Sequence, residues 1–600
     1  MVFLFFGLLT IFLAGLVVGH ALLVFLDPKE HFDRSGDRVL LSVWVGVLLI
    51  CNLFLAISLV LPLSPLVGLC TLAALLAVAF GRRQNRSFLK SLLRGRKVQL
   101  VAMAMLVLGV SISGTQTVRW YDSGLYYLQA IKWLSEYGLV PGLALIHNRF
   151  GFISSWFTLA APLNHGVFEG RIATLPGSFC LLMLLLGWTL AFFRIAQCRG
   201  KGQDWFLMVA SSLAIPLVIL RGLVPSPAPD LPVTVLVVVV GWTIYAISDI
   251  QRGNSRCRRE RLGMLPLILS AGAVTVKLSA FPLLAVASVF YLLGWPSRLT
   301  VKSLAIAVVV TACVLLPLAA GGVRTSGCAL YPTPYFCADL PWSLGAVEAK
   351  SEALLIRDWL RWNGPTPVGV PEFSWIVPWF LADKVFSLLL LATFIAALVL
   401  LCTQRKNWRR DGCFLAFAVT GTIFMFIRAP SWRFGLGYTF LIPSLVLSRS
   451  YDLLNSVVAQ FKINKIPWLF FAAGVTLVYV VPSYELSRVH HRMFDKYAQL
   501  ENASDRQHIP AIFLPPKVLM LEYDRDETGE IVESPDNFIR EQVNDVFYYR
   551  SSGGEMCWDE PLPCSPDGLK EIQLRDPRLG IAGGFVRAIS ATGSLPGGNR

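Results

Sequence analysis

Asp122 lies near the start of a polar and aromatic stretch, residues 117–156, that separates two hydrophobic parts of the chain. A carboxylate of this kind can take a proton from a hydroxyl group. The apolar residues after it recur every three positions, which predicts an amphipathic helix lying along a membrane surface: Leu125, Leu128, Ile131 and Leu134. Gly138 and Pro141 are predicted to end that helix. Asp122 is then a helix N-cap, a group that does chemistry, or both.

Other ionisable residues lie where apolar runs begin or end. Asp230 directly precedes an apolar run, and Lys277 lies in the short turn VTVKLSAFP. Arg428 and Arg433 bracket the turn RAPSWR. Charged groups at helix ends inside a membrane bundle are costly to bury, which makes them functional candidates. Each also has a structural interpretation: a carboxylate can cap a helix, a lysine can extend to the interface, and arginines can contact lipid headgroups.

The composition defines the elements that must position these residues. The chain has 600 residues, of which 55% are hydrophobic and only 15% are charged. Its mean hydropathy of +0.60 is typical of an integral membrane protein. The net charge is +15, but residues 485–600 carry 19 acidic and 13 basic residues, so the remainder carries +21. Because those basic residues fall mostly on short loops, the pattern indicates membrane topology and not a nucleic-acid partner.

The apolar runs predict about fourteen transmembrane helices with both termini outside. Loop 81–97 has seven basic residues and no acid, which predicts a cytoplasmic location and places 117–156 on the opposite face. Residues 152–163 are too short to cross and are predicted to form a surface-lying or re-entrant helix. The predicted spans are 2–26, 38–60, 65–80, 98–114, 174–195, 205–221, 231–247, 263–276, 279–294, 303–320, 383–402, 412–427, 434–448 and 466–482.

This topology divides the chain into six parts. They are N-terminal transmembrane helices (1–114), a periplasmic loop with surface helices carrying Asp122 (115–173), central transmembrane helices (174–320), a periplasmic loop (321–382), C-terminal transmembrane helices (383–482) and a periplasmic tail (483–600). The tail has the composition of a small soluble region.

Four of the twelve cysteines fall on the predicted outer face, in two local pairs. Cys328 with Cys337, and Cys557 with Cys564, are predicted to form disulfides in an oxidising compartment such as a bacterial periplasm. The alternative is a four-cysteine zinc site, but neither pair has the spacing that such sites favour.

Several segments carry a family resemblance. W-Y-D-S-G-L-Y-Y at 120–127 places an aspartate among aromatic residues, 150–179 combines a short surface segment with the start of a spanning helix, and VKLSAFPLL covers 276–284. On these segments the chain resembles the GT-C superfamily of membrane glycosyltransferases. It is also similar, from about residue 100 onwards, to a bacterial and cyanobacterial subgroup of GT-C-like proteins, through SPAPDLPV, SGCALYPTPYFCADLPW and CWDEPLPCSP.

The resemblance implies a GT-C-like helical fold and an inverting transfer of a sugar from a polyprenyl-phosphate donor to a glycan, lipid or protein acceptor on the periplasmic face of a bacterial inner membrane. Asp122 would be the base. The remaining roles would fall on two groups: the donor phosphate on Lys277, Arg433, Arg324 and Arg428, and the sugar or acceptor on Tyr121, Tyr126, His147, Arg149 and Asp230. No metal ligands are predicted, because a second acidic pair is missing, although a divalent metal stays open.

Two other functions are compatible with the same residues. A transporter or flippase for lipid-linked saccharides would carry charges near the bilayer midplane or internal repeats, and neither is evident. A polymerase or ligase of the O-antigen type also has many spans and an external loop with arginines. A structural role in assembly is the bland alternative.

Overall fold

A computed structural model describes most of the chain. It describes residues 1–600 except 29, 95–96, 117, 119, 252–258, 294–299, 363, 404–407, 461–511, 516, 519–520, 526–530, 536–537, 553–555, 570 and 589–600. The fold is mainly helical. The α-helices are α1 Val2–Leu26, α2 Ser35–Ser58, α3 Pro65–Gly81, α4 Arg83–Leu93, α5 Lys97–Ser113, α6 Leu128–Glu136, α7 Thr174–Ala196, α8 Gly202–Leu220, α9 Asp230–Gln251, α10 Arg259–Val276, α11 Phe281–Leu293, α12 Val301–Ser326, α13 Ala346–Trp362, α14 Ile376–Ala382, α15 Lys384–Cys402, α16 Trp408–Arg428, α17 Trp432–Arg449 and α18 Tyr451–Gln460.

The apolar runs form a helical, multi-pass membrane protein. Thirteen of the fourteen predicted spans coincide with a helix; the last, 466–482, lies outside the described residues. Within the described part, eight helices are long and apolar enough to cross a membrane: α1, α2, α7, α8, α9, α12, α15 and α16. Helices α3 and α4 together would make a ninth span, although they are bent by 92° relative to each other. Helix α5 is among the apolar helices that are shorter.

Close helix packing depends on small residues in α1 and α2. A Cβ at Gly19 would lie 1.8 Å from the carbonyl oxygen of Ser42, and one at Gly46 would lie 2.0 Å from that of Gly15. The two backbones therefore touch where these glycines face each other, as small residues allow in membrane bundles. Helices α7 to α10 and α17 pack in the same core, and most of their apolar side chains are buried.

The basic segment 81–97 is not a loop throughout. Helix α4 occupies most of it and turns sharply away from α3. Asn85 in α4 is fully buried, and its side-chain amide donates to the backbone oxygens of Val17 and Ala79. The helix is therefore anchored against α1 by one buried side chain, while its basic residues stay exposed.

The prediction that Asp122 caps a helix is wrong. The backbone at Asp122 is already helical, with φ −62° and ψ −18°, and its side chain makes no capping hydrogen bond. A π-helical turn, Ser123–Tyr127, follows and continues into α6, which ends near Gly138 in the left-handed conformation as predicted. The carboxylate is directed elsewhere, to Arg433.

The surface-lying or re-entrant helix predicted at 152–163 is replaced by short 3-10 turns. Two of these are Phe157–Leu159 and Ala161–Leu163. Side chains of the segment bond to neighbouring helices: Ser154 donates to the carbonyl oxygen of Val276, the last residue of α10, at 2.7 Å, and Thr158 donates to that of Cys51, inside α2, at 3.0 Å. The backbone can therefore enter the bundle without forming a helix, because its polar groups find partners there.

The two remaining segments cover the same end of the bundle. In 321–382, α12 continues to Ser326 and is followed by α13 and α14. The described part of the tail forms three antiparallel hairpins, made by β1 Leu521–Arg525 with β2 Ile531–Pro535, β3 Phe538–Val543 with β4 Val546–Ser551, and β5 Ile572–Leu574 with β6 Phe585–Arg587. Both predicted disulfides are confirmed, with Cys328 bonded to Cys337 and Cys557 bonded to Cys564.

Candidate functional site

Two ion pairs lie together at one end of the bundle. Nη1 of Arg433, at the start of α17, donates a hydrogen bond to Oδ2 of Asp122 over 2.5 Å. Nζ of Lys277, in the turn between α10 and α11, donates to Oδ1 of Asp230 at the start of α9 over 2.6 Å. Arg433 also interacts electrostatically with Asp230, and Lys277 with Asp122. We call these four residues the Asp122 cluster.

The cluster exists because three helix ends meet the π-turn. Helix α9 begins at Asp230, α17 begins at Trp432, and Lys277 follows the last residue of α10. Asp230, Lys277 and Arg433 thus lie at helix ends, where the polar backbone also finds solvent or partners. Asp230 is almost fully buried, at 1% exposure, whereas Asp122, Arg433 and Lys277 keep 14% to 21% of their side-chain surface. Lys277 therefore does not extend freely into the interface but is paired.

Aromatic rings surround the charges. The guanidinium of Arg433 lies 5.8 Å from the ring centre of Trp120 and 5.0 Å from that of Phe434. The ammonium of Lys277 lies 4.3 Å from the same Phe434 ring. The hydroxyl of Tyr127 donates to Oδ2 of Asp122 at 3.3 Å. The rings exclude water beside the charges, which strengthens the electrostatic interactions among them.

The environment keeps Asp122 ionised. Burial opposes the charged form, but Arg433, with smaller contributions from Arg149 and Lys277, outweighs burial and holds the pKa of Asp122 below its usual value. At neutral pH the carboxylate is therefore charged and able to accept a proton, although its pairing with Arg433 makes it a weak base in this state.

The cluster has unused hydrogen-bonding capacity. Among the described residues, Oδ2 of Asp230 is buried without a hydrogen-bond partner, and Oδ1 of Asp122 accepts no hydrogen bond. A lysine has three N–H donors and an arginine has five, and most of those on Lys277 and Arg433 are not spent on the two carboxylates. The cluster therefore has N–H donors that an anion could use and carboxylate oxygens that a hydroxyl group could use.

The tail holds the π-turn that carries Asp122. The backbone N–H groups of Cys557 and Trp558 both donate to the carbonyl oxygen of Gly124, over 3.0 and 2.8 Å. Trp558 is fully buried, and a Cβ at Gly124 would lie 2.6 Å from its ring. The carbonyl is thus captured from outside the helix, which fits the widened π-helical turn at this point. Only glycine allows the tail to approach so closely.

The polar face of α6 is covered as well. The side-chain amide of Gln129 donates to the carbonyl oxygens of Trp558 and Glu560, and Nζ of Lys132 donates to that of Asp559. Both side chains are buried, although the polar face of a surface-lying amphipathic helix is expected to meet water or headgroups. Burial raises the pKa of Asp559, and Lys132 opposes that effect. We call residues 557–564, closed by the disulfide, the tail clamp.

A second group of predicted site residues lies beside the cluster. Nε of Arg149 is 3.2 Å from Oε1 of Glu352 on α13, and its guanidinium lies 5.8 Å from the ring centre of Phe152. His147 is neutral at physiological pH, because burial and then Arg149 lower its pKa to about 3. Its 3.6 Å contact with Asp567 is therefore not an ion pair at neutral pH. Tyr126 packs edge-on against Tyr127, within the electrostatic reach of Asp122.

Three predicted site residues are not brought into the cluster. Nε of Arg324 donates to the carbonyl oxygen of Leu139, and this side chain is faced by Arg575 of the tail. Arg428 is exposed at the end of α16. Tyr121 is 47% exposed beside Asp122. Among the described residues, no group of three or more His, Cys, Asp or Glu side chains is placed to hold a metal ion.

Two features of the site were missed by sequence reasoning. Glu352 was not singled out, although it follows buried Ala349 by three positions on an otherwise amphipathic helix and so faces the interior. Trp558 was not singled out either, although it lies between the two cysteines of a disulfide pair. Glu352 could have been found as a polar residue on the apolar face of a helix. The contact of Trp558 with Gly124 has no local sequence signal, since it joins positions far apart in the chain.

Fold and site together define a multi-pass helical membrane protein in which residues of the tail pack against the turn that carries Asp122. Residues 1–440 match the family model described as "Domain of unknown function (DUF8201)", so the chain belongs to that family. The match includes all four residues of the Asp122 cluster and ends before the tail clamp. No curated protein and no solved structure matches the chain.

Proposed function

We propose that this protein is a GT-C-like glycosyltransferase that moves a sugar from a polyprenyl-phosphate donor to a hydroxyl acceptor. The fold would be of the GT-C type with about fourteen spans, and the reaction would take place on the periplasmic face of a bacterial inner membrane. The observation that carries the proposal is the Asp122 cluster: a carboxylate and two cations with unused donors, held together at a helix-end surface beside aromatic rings.

In the proposed reaction, Asp122 accepts the proton of the acceptor hydroxyl. The acceptor oxygen forms a bond to the anomeric carbon of the sugar, and the bond from that carbon to the phosphate oxygen breaks. Polyprenyl phosphate leaves with the electron pair, and Arg433 and Lys277 hold its negative charge through charge-assisted hydrogen bonds. A single displacement of this kind inverts the anomeric carbon. Asp122 is the catalytic residue, and Asp230 is a positioning residue that acts through Lys277.

Donor binding would also activate the base. In the structure Arg433 is paired with Asp122 and keeps the pKa of that carboxylate low. A phosphate that accepts hydrogen bonds from Arg433 and Lys277 adds negative charge beside Asp122 and draws the guanidinium away from it. Both effects raise the pKa of the carboxylate, so Asp122 becomes a stronger base only when the donor is present. This order would limit unproductive chemistry in the empty site.

Turnover by the purified protein tests the proposal. Wild-type protein in lipid nanodiscs is incubated with a panel of polyprenyl-phosphate sugars and short glycan or lipid acceptors, and released polyprenyl phosphate is measured. We expect turnover with at least one donor and a loss of about a thousandfold in Asp122→Asn. Asp122→Asn protein that is folded and turns over at the wild-type rate would contradict the role of the base. Product that forms only from a preassembled, lipid-linked chain would indicate a polymerase or ligase instead.

A further inference from the structure

A buried carboxylate on the second loop segment lies opposite Arg149. The side chain of Glu352 is only 4% exposed, and its Oε1 lies 3.2 Å from Nε of Arg149. The two atoms form an ion pair without a hydrogen bond, and among the described residues Oε1 has no hydrogen-bond donor. An ionised oxygen buried without a donor is costly, which makes it a place for a ligand hydroxyl.

A buried phenol lies in the same place. Tyr331 is 3% exposed, and its hydroxyl also has no hydrogen-bond partner among the described residues. Burial and then the charge of Glu352 raise its pKa, so it stays protonated and remains a donor. Its ring lies against Gly151, where a Cβ would come within 2.6 Å of the ring. The disulfide between Cys328 and Cys337 closes the loop that carries Tyr331.

Aromatic rings connect these groups to Asp122. The ring of Phe152 lies 5.2 Å from that of Tyr331 and 6.2 Å from that of Tyr126, measured between centres. Tyr126 in turn packs at 4.5 Å on Tyr127, whose hydroxyl bonds to Asp122. Arg149 interacts electrostatically with Asp122 as well. The group around Glu352 and the Asp122 cluster therefore belong to one continuous surface.

We propose that Arg149, Glu352 and Tyr331 form a subsite for a neutral sugar ring with adjacent free hydroxyls. The inference rests on the proposed function and names the substrate class of the same site. One hydroxyl donates to Glu352, a neighbouring one accepts from Tyr331 or Arg149, and the face of the ring packs on Phe152. Because Arg149 is already neutralised by Glu352, a sugar that carries a carboxylate meets a negative charge without a free cation, and the subsite rejects it.

Comparison of bare and sugar-bearing lipids tests this subsite separately from the phosphate site. Binding to the protein in nanodiscs is measured for polyprenyl phosphate and for its neutral hexosyl, neutral pentosyl and uronosyl derivatives. The ratio of the affinities for each sugar-bearing lipid and the bare lipid isolates the contribution of the sugar. A second arm uses free methyl glycosides, detected by saturation-transfer NMR, which needs neither the phosphate site nor turnover.

The variants are Tyr331→Phe, which keeps the ring, and Glu352→Gln, which keeps the shape. The matched control is Glu348→Gln, one turn away on α13, where the carboxylate is 42% exposed and pairs with Arg587. We expect at least one neutral sugar-bearing lipid to bind more tightly than the bare lipid, and we call this gain in affinity the sugar increment. The uronosyl lipid should show no such gain. Each site variant should reduce the sugar increment by about tenfold. Glu348→Gln should behave as wild type.

The outcomes separate the two proposals. If the bare lipid binds but no neutral sugar adds affinity, or if Tyr331→Phe and Glu352→Gln keep the increment, the sugar subsite is wrong while the phosphate site stands. If none of the four lipids binds, but neutral methyl glycosides bind and the variants abolish that signal, the subsite stands and the assignment of a polyprenyl-phosphate donor is wrong. If no lipid and no glycoside binds to the folded protein, both are overturned.

Discussion

The two ends of the helix bundle each hold a network of buried aspartates and basic residues, and the networks differ in how their hydrogen bonds are used. At the end opposite Asp122, Arg34 and Arg194 bind Asp37 and Asp204. All four carboxylate oxygens there accept hydrogen bonds, from the two arginines, the Gln203 side chain and the Lys201 backbone. At the Asp122 end, one oxygen of each aspartate is left without a donor among the described residues.

The difference distinguishes a structural network from a candidate site. Exposure does not separate them, since Arg34 and Arg194 are as exposed as Arg433. At the end opposite Asp122 every carboxylate oxygen has a donor, although Nη2 of Arg34 is buried without a hydrogen bond. This network therefore offers a ligand no free acceptor, and its ion pairs join α2, α7 and α8. At the Asp122 end, carboxylate oxygens without donors leave an unfavourable desolvation energy that a ligand hydroxyl can remove. Asp37, which is buried near the start of α2, is neutralised there by Arg34 and Arg194.

The largest expected difference in activity is between variants of Arg433, at the Asp122 end, and Arg194, at the opposite end. In Arg433→Gln we expect transfer to fall by about a hundredfold to a thousandfold, because the leaving phosphate loses its main cation. In Arg194→Gln we expect a lower melting temperature, since breaking a buried ion pair costs about 3–5 kcal/mol. Turnover per folded molecule should then stay at the wild-type value. Equal activity losses in the two variants, after correction for the folded fraction, would remove the distinction between the ends.

A smaller effect is expected at Lys277. Lys277→Gln removes one charge-assisted hydrogen bond to the donor phosphate, so the apparent KM for the donor should rise about tenfold. The exposed Lys350→Gln serves as the control, with an unchanged KM. Steady-state kinetics over a range of donor concentrations measure both. A donor KM that Lys277→Gln leaves unchanged would count against a phosphate role for this residue.

The tail clamp should affect rate more than binding. Replacing Cys557 and Cys564 with Ser opens the loop whose backbone holds Gly124, and loss of a loop of this size costs about 2–3 kcal/mol. We expect a severalfold fall in kcat with little change in donor affinity, because the π-turn no longer fixes Asp122. The disulfide between Cys328 and Cys337 closes the loop that carries Tyr331 and serves as the comparison. Its removal should lower the affinity gained from the sugar more than it lowers kcat. Identical kinetic defects in both double variants would show only general destabilisation.

The smallest effect is expected in the pH dependence. Arg149 is one of the charges that lower the pKa of Asp122, so removing it raises that pKa. Because a carboxylate base is lost as pH falls through its pKa, the acid limb of kcat/KM should move to higher pH in Arg149→Gln, and further in Arg433→Gln. An acid limb in the same place as in wild type would indicate that Asp122 does not titrate in the reaction.

The sequence predicted the helices well and their partners poorly. Thirteen apolar runs became helices, and eight helices of the described part, or nine if α3 and α4 form one span, are long and apolar enough to cross a membrane. Asp230 and Lys277 could be chosen as candidates because each lies at the end of an apolar run. Their pairing across 47 positions, and that of Asp122 with Arg433 across 311, could not, since nothing local encodes such contacts.

Local rules failed where the tail intervenes. Asp122 followed by regularly spaced leucines is a reasonable N-cap pattern, yet the carbonyl of Gly124 bonds to residues more than four hundred positions away. The tail clamp also buries Gln129 and Lys132, which lie on the polar face of an amphipathic helix that was expected to meet water. Amphipathic patterns report which residues face an apolar core, but they do not tell whether the polar face meets water or another part of the chain.

The central claim is that the unsaturated end of the bundle binds a lipid phosphate. The most direct test is an electron cryomicroscopy structure of the protein in nanodiscs with polyprenyl phosphate. We predict phosphate density about 2.7–2.9 Å from nitrogens of both Arg433 and Lys277, with the guanidinium shifted away from Asp122. Phosphate density at another position, with both ion pairs of the cluster unchanged, would contradict the account.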